Sequence, residues 1–208
     1  MRLFLLSLFL VLTLQLVGQS SFGLSIGLDN TKFSGDRPNL ITYEFKSGLS
    51  LIAFGDFQLT DQVEFSLRAG YAQGGVNIAF KDNIQVDEED PFIFPIKDNY
   101  FSIAPLFKLY NKKRIYAFVG PELGYLLTSD AQVNGQKIDL SDRLNEFALG
   151  LDIGLGLNFN MLKQAWAVEW QLNQMLTTLT LKEEIDNGTA PKLRTTRTRV
   201  ALVYKFKK

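Results

Sequence analysis

The chain has 208 residues, with 22 basic and 22 acidic side chains and neither His nor Cys. An even charge balance gives no pull toward nucleic acid, and the length fits one domain. Without His and Cys there are no Ser-His-Asp triads, Cys-His dyads, usual zinc or copper sites, disulfides or lipobox thiol.

The first residues, MRLFLLSLFLVLTLQLVGQS, set Arg2 before an apolar run from Leu3 to Leu14 and small or polar residues from Gly18 onward. That layout predicts a secretory signal peptide over residues 1–18, and the run falls short of the roughly 20 residues of a spanning helix. The remainder, 19–208, reads as one exported domain.

From residue 21 the chain alternates apolar with small or polar residues in eight segments, each bounded by turn residues. SFGLSIGLD (21–29) puts Phe22, Leu24, Ile26 and Leu28 opposite Gly23, Ser25, Gly27 and Asp29. GLSLIAFGDFQL (48–59) is apolar on both faces; Leu49, Leu51, Ala53, Phe57 and Leu59 are taken as outward. VEFSLRAGYA (63–72) and YFSIAPLFKLY (100–110) follow, the second with Pro105, where a missing ladder donor predicts a local irregularity. Next come IYAFVGPELGYLL (115–127), EFALGLDIGLGLNF (146–159), WAVEWQLNQ (166–174) and TRTRVALVYKF (196–206).

Short links at 60–62, 111–114 and 160–165 alternate with long polar ones at about 30–47, 81–99, 128–145 and 177–193. Segments near 9–11 residues, alternating faces and alternating link lengths predict an eight-stranded antiparallel up-and-down transmembrane β-barrel, with both termini on the short-turn side. Aromatic residues at segment ends (Tyr71, Phe101, Tyr125, Phe147, Phe159, Trp166, Tyr204, Phe206) suit the two interfacial girdles. A soluble lipocalin-like barrel is the alternative, with the two faces exchanged.

In the membrane reading the inward set holds Asp56, Glu64, Glu122, Asp152 and Glu169 against Arg68, Lys108, Arg197, Arg199 and Lys205. Buried charges must be paired, so these ten are expected to form an ionic network filling the lumen, with inward glycines making room for the long charged side chains. Glu122, Asp152 and Glu169 could meet as acid and base, but ion pairing accounts for them without catalysis. GLGLNF has Phe159 where a dinucleotide fingerprint needs its third glycine. The acidic run 87–90 lacks calcium-loop spacing, and NGT at 187–189 reads as a turn. No cofactor or metal is expected. The loop 81–100 puts Phe92, Phe94 and Ile96 amid charges and is the first candidate partner contact.

The runs GDFQLTDQVEFSLRAGYAQGG (55–75), YFSIAPLFKLYNKKRIYAFVGPELGYLL (100–127), FALGLDIGLGLNF (147–159) and RVALVYKF (199–206) together resemble the PorT-like outer-membrane β-barrel family. The strand, basic turn and strand carrying Pro105, Lys108, Gly120, Pro121 and Gly124 is its most telling piece. The resemblance implies an outer-membrane location, mostly without assigned activity, and for the namesake a link to type IX protein secretion. It also implies lipid, the barrel assembly machinery and an envelope protein as partners. The last strand resembles an assembly β-signal, with Tyr204 and Phe206 alternating, but ends on Lys207 and Lys208.

Overall fold

The structure is a computed structural model, described for residues 20–35, 41–80, 93–111, 114–133, 136–141, 144–177 and 193–206. The expected signal segment, Phe92, the acidic run 87–90 and the NGT turn lie outside these residues. The strands are β1 (Ser20–Gly35), β2 (Ile41–Glu44), β3 (Lys46–Gln58), β4 (Val63–Phe80), β5 (Ile93–Asn111), β6 (Ile115–Val133), β7 (Gln136–Asp139), β8 (Phe147–Met161), β9 (Gln164–Met175) and β10 (Leu193–Lys205).

Eight of them, all except β2 and β7, form an antiparallel meander that closes where β1 pairs with β10 over Gly23↔Lys205 to Gly35↔Leu193. Closure leaves no strand edge in the wall, which a bilayer requires because lipid offers no hydrogen bonds. The alternation in sequence becomes an alternation of environment. Leu149, Leu151, Ile153, Leu155 and Leu157 on β8 are 43–55% exposed, while the inward Asp152, Glu169 and Lys108 are at most 2% exposed. The exterior is apolar and the lumen carries the charges, the reverse of a ligand-holding soluble barrel. On β3 the outward set is Leu49, Leu51 and Ala53, with Ile52, Phe54 and Asp56 turned inward.

Two aromatic belts bound the apolar band. Tyr71, Phe101, Tyr125 and Phe147 stand side by side on β4, β5, β6 and β8. At the short-turn end Phe57, Phe65 and Phe107 form one arc and Phe159, Trp166, Tyr204 and Phe206 another. Directly beyond the first belt the outward residues turn polar. The Tyr71 hydroxyl donates to Asn99 Oδ1, and Asn99 Nδ2 donates to Thr128 Oγ1 at 2.6 Å.

Three features differ from the sequence reading. First, the strands run past the belt: β4 reaches Phe80, β5 starts at Ile93, and β6 continues to Val133 and pairs with β7. Phe94 and Ile96 therefore lie in β5, opposite Ile78 and Val76, rather than in a free loop. Polar composition reads as loop, but backbone pairing continues past the belt, between β5 and β6 after a register shift at Asn99/Tyr100.

Second, the irregularity at Pro105 involves a second proline. The β5–β6 ladder runs from Asn111↔Ile115 to Phe107↔Val119 and resumes at Ile103↔Leu123, so Pro105 stands opposite Pro121 in the interval. Neither has an N–H, so neither can donate across the gap. A Cβ on Gly120 would overlap the Pro105 carbonyl oxygen, so the two backbones are pressed together there.

Third, three glycines make room for rings rather than charges. A Cβ on Gly23, Gly154 or Gly156 would overlap Phe54, Phe118 or Tyr116, respectively, whereas Gly27 does back onto a charged stem, that of Arg199.

The β8–β9 link is a two-residue hairpin, tighter than expected, in which Leu162 and Lys163 have φ of 54° and 62°. Such a turn favours Asn-Gly, and a bulky L-residue held there costs roughly 1–2 kcal/mol. The double substitution Leu162→Asn, Lys163→Gly is expected to stabilise the barrel by about 1–2 kcal/mol. A higher urea midpoint at unchanged m in lipid vesicles would show it; an unchanged or lower midpoint would mean that the turn carries no strain.

Candidate functional site

The lumen is built from the inward parity of every wall strand, and the sheet's curvature brings these side chains together across the axis. At its short-turn end Phe54, Ala104, Leu106, Tyr116, Phe118, Ala167 and Val203 form an apolar cluster. Charges thread it: Arg68 lies 4.8 Å from the Phe118 ring centroid, and Lys108 lies 5.1 Å from that of Phe54. Cation–π contact partly offsets the lost hydration of these ions.

Of the ten charged residues expected inside, eight are buried: Asp56, Arg68, Lys108, Glu122, Asp152, Glu169, Arg197 and Arg199. Glu64 and Lys205 are half-buried at the short-turn end. Arg68 holds Glu169 bidentately, Nη1 and Nη2 donating at 2.8 and 2.7 Å. Lys108 Nζ donates to both Asp56 oxygens at 2.8 Å, and Ser66 Oγ donates to Asp56 at 2.6 Å. Arg197 Nη2 donates to the two Glu122 oxygens at 2.6 and 2.5 Å. Lys205 reaches Asp56 at 3.5 Å, while Glu64 accepts from the Tyr110 hydroxyl at 2.6 Å. Asp152 accepts from Asn173 Nδ2 and has no cation within 4 Å among the described residues.

Arg199 finds its carboxylate in Asp29, at 2.6 and 2.9 Å, a residue outside the expected set of ten. Its signal is in the first strand's parity, which turns Asp29 inward with Ser25 and Gly27. Tyr116 is also outside that set: its hydroxyl donates to Glu169 Oε1 at 2.6 Å. A tyrosine in an aromatic-rich strand gives no charge signal, and only the cross-lumen geometry reveals it. Glu122, Asp152 and Glu169, the conceivable acid and base, are thus committed to Arg197, Asn173 and Arg68.

Past the belt the lumen ends in a small pocket lined by Thr31, Asp98, Tyr100, Met175, Thr177 and Arg197. Asp98 is buried and accepts from Ser129 Oγ at 2.6 Å; burial raises its carboxyl above the usual range. On the outer flank a second cleft, of about 280 Å³, is lined by Lys46, Lys97, Lys137 and Asp130 among others. The strand extensions carry this cleft above the apolar band.

An outer membrane protein β-barrel domain model matches residues 15–180. The chain belongs to that family. Among solved structures, Neisserial surface protein A is similar with a TM-score of 0.51 and 11% identity, over 90% of this chain and 99% of that one. A major outer membrane protein of Thermus thermophilus gives 0.47 and 9%, over 89% and 99%. Ail of Yersinia pestis gives 0.46 and 12%, over 90% and 99%. No curated protein matches the chain. The likeness to Neisserial surface protein A, at 11% identity, speaks for the fold, and with the family it makes this chain an outer-membrane β-barrel. In that setting the short-turn end is periplasmic and the strand extensions face outward from the cell.

Proposed function

We propose that the barrel is a non-enzymatic outer-membrane protein whose task is interaction, carried by the extracellular extensions of β4, β5 and β6 with β2 and β7 along their flanks. One observation carries this reading: the lumen is occupied by paired charges, so chemistry and solute passage have little room, whereas the projecting strands offer ordered, polar surface. Rigid scaffolds usually bind through such projecting segments.

A second reading rests on the sequence resemblance around PLFKLYNKKRIYAFVGPELGYLL, in which the chain serves a PorT-like role in type IX-like secretion or motility assembly. Export by the N-terminal signal peptide and insertion by the barrel assembly machinery belong to both readings.

Affinity capture of the tagged protein from outer membranes in mild detergent separates them. Near-stoichiometric secretion or motility proteins would support the assembly role; a different surface or envelope protein, lost on trimming β7, would support the general one. Recovery of the barrel with lipid alone would overturn both. In planar bilayers the wild type is expected to give no steady conductance, and a stable open channel would count against a filled lumen.

A further inference from the structure

Lys46, Lys97 and Lys137 come from three different strands, β3, β5 and β7, and converge on one cleft of about 280 Å³ with Asp130, Pro95, Ala131 and Gln132. Asp130 is already engaged, its carboxylate 2.8 Å from Lys137 Nζ. Lys46 and Lys97 make no salt bridge among the described residues. A further carboxylate acting on Lys46, that of Asp98, is buried and bound to Ser129.

The approach of Lys46 is built into the backbone. Gly75 on β4 sits at φ 130°, and a Cβ there would lie 3.1 Å from Lys46 Cδ and overlap the Ile96 carbonyl oxygen. The missing side chain lets the Lys46 stem cross β4 and bring its ammonium toward Lys97. A half-buried ammonium is thereby brought toward an exposed one, which is unfavourable unless an anion joins them. Accordingly the Lys46 ammonium is held below its usual pKa range, by burial first and then by Lys97.

The cleft's height on the wall indicates what that anion is. Along the outward face of β5 the order is Phe101 in the aromatic belt, Asn99 in the polar rim, then Lys97. Lys97 is therefore about 13 Å along the strand from Phe101, beyond the headgroup level of the belt, where the saccharides of an outer-leaflet glycolipid project. Compact ammonium groups on flexible stems suit a phosphate, whose charge is spread over several oxygens.

We propose that the Lys46–Lys97–Lys137 cleft binds the phosphate of a phosphorylated saccharide. Lys46 and Lys97 supply the charge that recognises it, and Lys137, pinned by Asp130, closes its outer side. The same chemistry is offered by a glycolipid of the outer leaflet and by soluble phosphate esters.

The full barrel, in nanodiscs of zwitterionic lipid, would be titrated with a lipopolysaccharide whose core sugars are phosphorylated, with its dephosphorylated form and with inorganic phosphate, and bound ligand counted by native mass spectrometry. Saturable binding of the phosphorylated lipid is expected. It should weaken at least tenfold on dephosphorylation and in Lys46→Ala/Lys97→Ala, while Lys32→Ala, whose ammonium lies over the Phe45 ring, binds as the wild type does. Gly75→Ala should weaken it too, by blocking the path of Lys46. Competition by inorganic phosphate at comparable concentration assigns the site to soluble esters, and its failure assigns it to the membrane glycolipid; either supports the proposal. Equal binding by the double variant, equal binding of dephosphorylated lipid, or no saturable binding of any probe overturns it. A heat-dependent gel shift for each variant confirms that the barrel has folded.

Discussion

The Glu169→Ala barrel is expected to lose about 3–5 kcal/mol of folding stability, seen as a lower urea midpoint in lipid vesicles at unchanged m. The reason lies in what remains behind. Arg68 reaches across the lumen from β4 to β9, its side chain only 6% exposed, and both of its Nη donors end on Glu169. The Tyr116 hydroxyl ends there as well. Removing the carboxylate strands a buried guanidinium among aromatic rings and leaves a buried hydroxyl without its acceptor. Replacing both ions at once, Arg68→Met with Glu169→Leu, should restore much of the loss, because the desolvation penalty leaves with the charges. The cycle between the single and double variants then reports the coupling directly. A loss below about 1 kcal/mol in the single variant would mean that the lumen is wet enough to screen the ion, by the measure of exposed pairs.

Gly156→Val should be nearly as damaging, at about 3 kcal/mol, the upper part of the range for overpacking, or should prevent closure altogether. Its Cβ would fall on the Tyr116 ring. That ring cannot easily yield: it lies 4.9 Å from the Tyr110 centroid and 6.3 Å from that of Phe118, and its hydroxyl is fixed to Glu169. Weakened or absent heat-modifiable mobility on gels would report the failure. Adding Tyr116→Ala to Gly156→Val should recover a folded band, since it removes the obstructing ring. If Gly156→Val alone folds normally, the tyrosine has another place to go and the packing account is wrong.

Both effects depend on side chains that the sequence makes visible to different degrees. Period-two alternation locates every wall strand, because lipid and a narrow lumen impose opposite demands on successive residues. The inward charges are legible for the same reason: Asp, Glu, Arg and Lys on that parity have nowhere to go but inside. Which charge meets which is not legible, since partners such as Arg68 and Glu169 lie 101 positions apart and meet through tilt and closure. Gly154 and Gly156 face rings instead of the expected charges because strand parity alone does not say that Phe118 and Tyr116 share their layer. Strand ends escape notice where the outward residues become polar, because alternation loses its contrast once both faces are wet.

The facing prolines of β5 and β6 bear on how the sheet assembles. The donors they remove belong to a hairpin whose two strands are joined by residues 112–114, so the ends to be brought together are close in sequence and the chain entropy lost is small. The junction of β1 with β10 has the opposite character. It joins residues some 170 positions apart, such as Asp29 and Arg199, and its register is unbroken from Gly23 to Gly35. The missing donors thus fall where connectivity already keeps the partners at high effective concentration, while the most distant pairing keeps its full ladder. Moving such a proline pair to β1 and β10 would put the same small defect at the step with the highest contact order, where it would be expected to slow insertion and leave an open sheet.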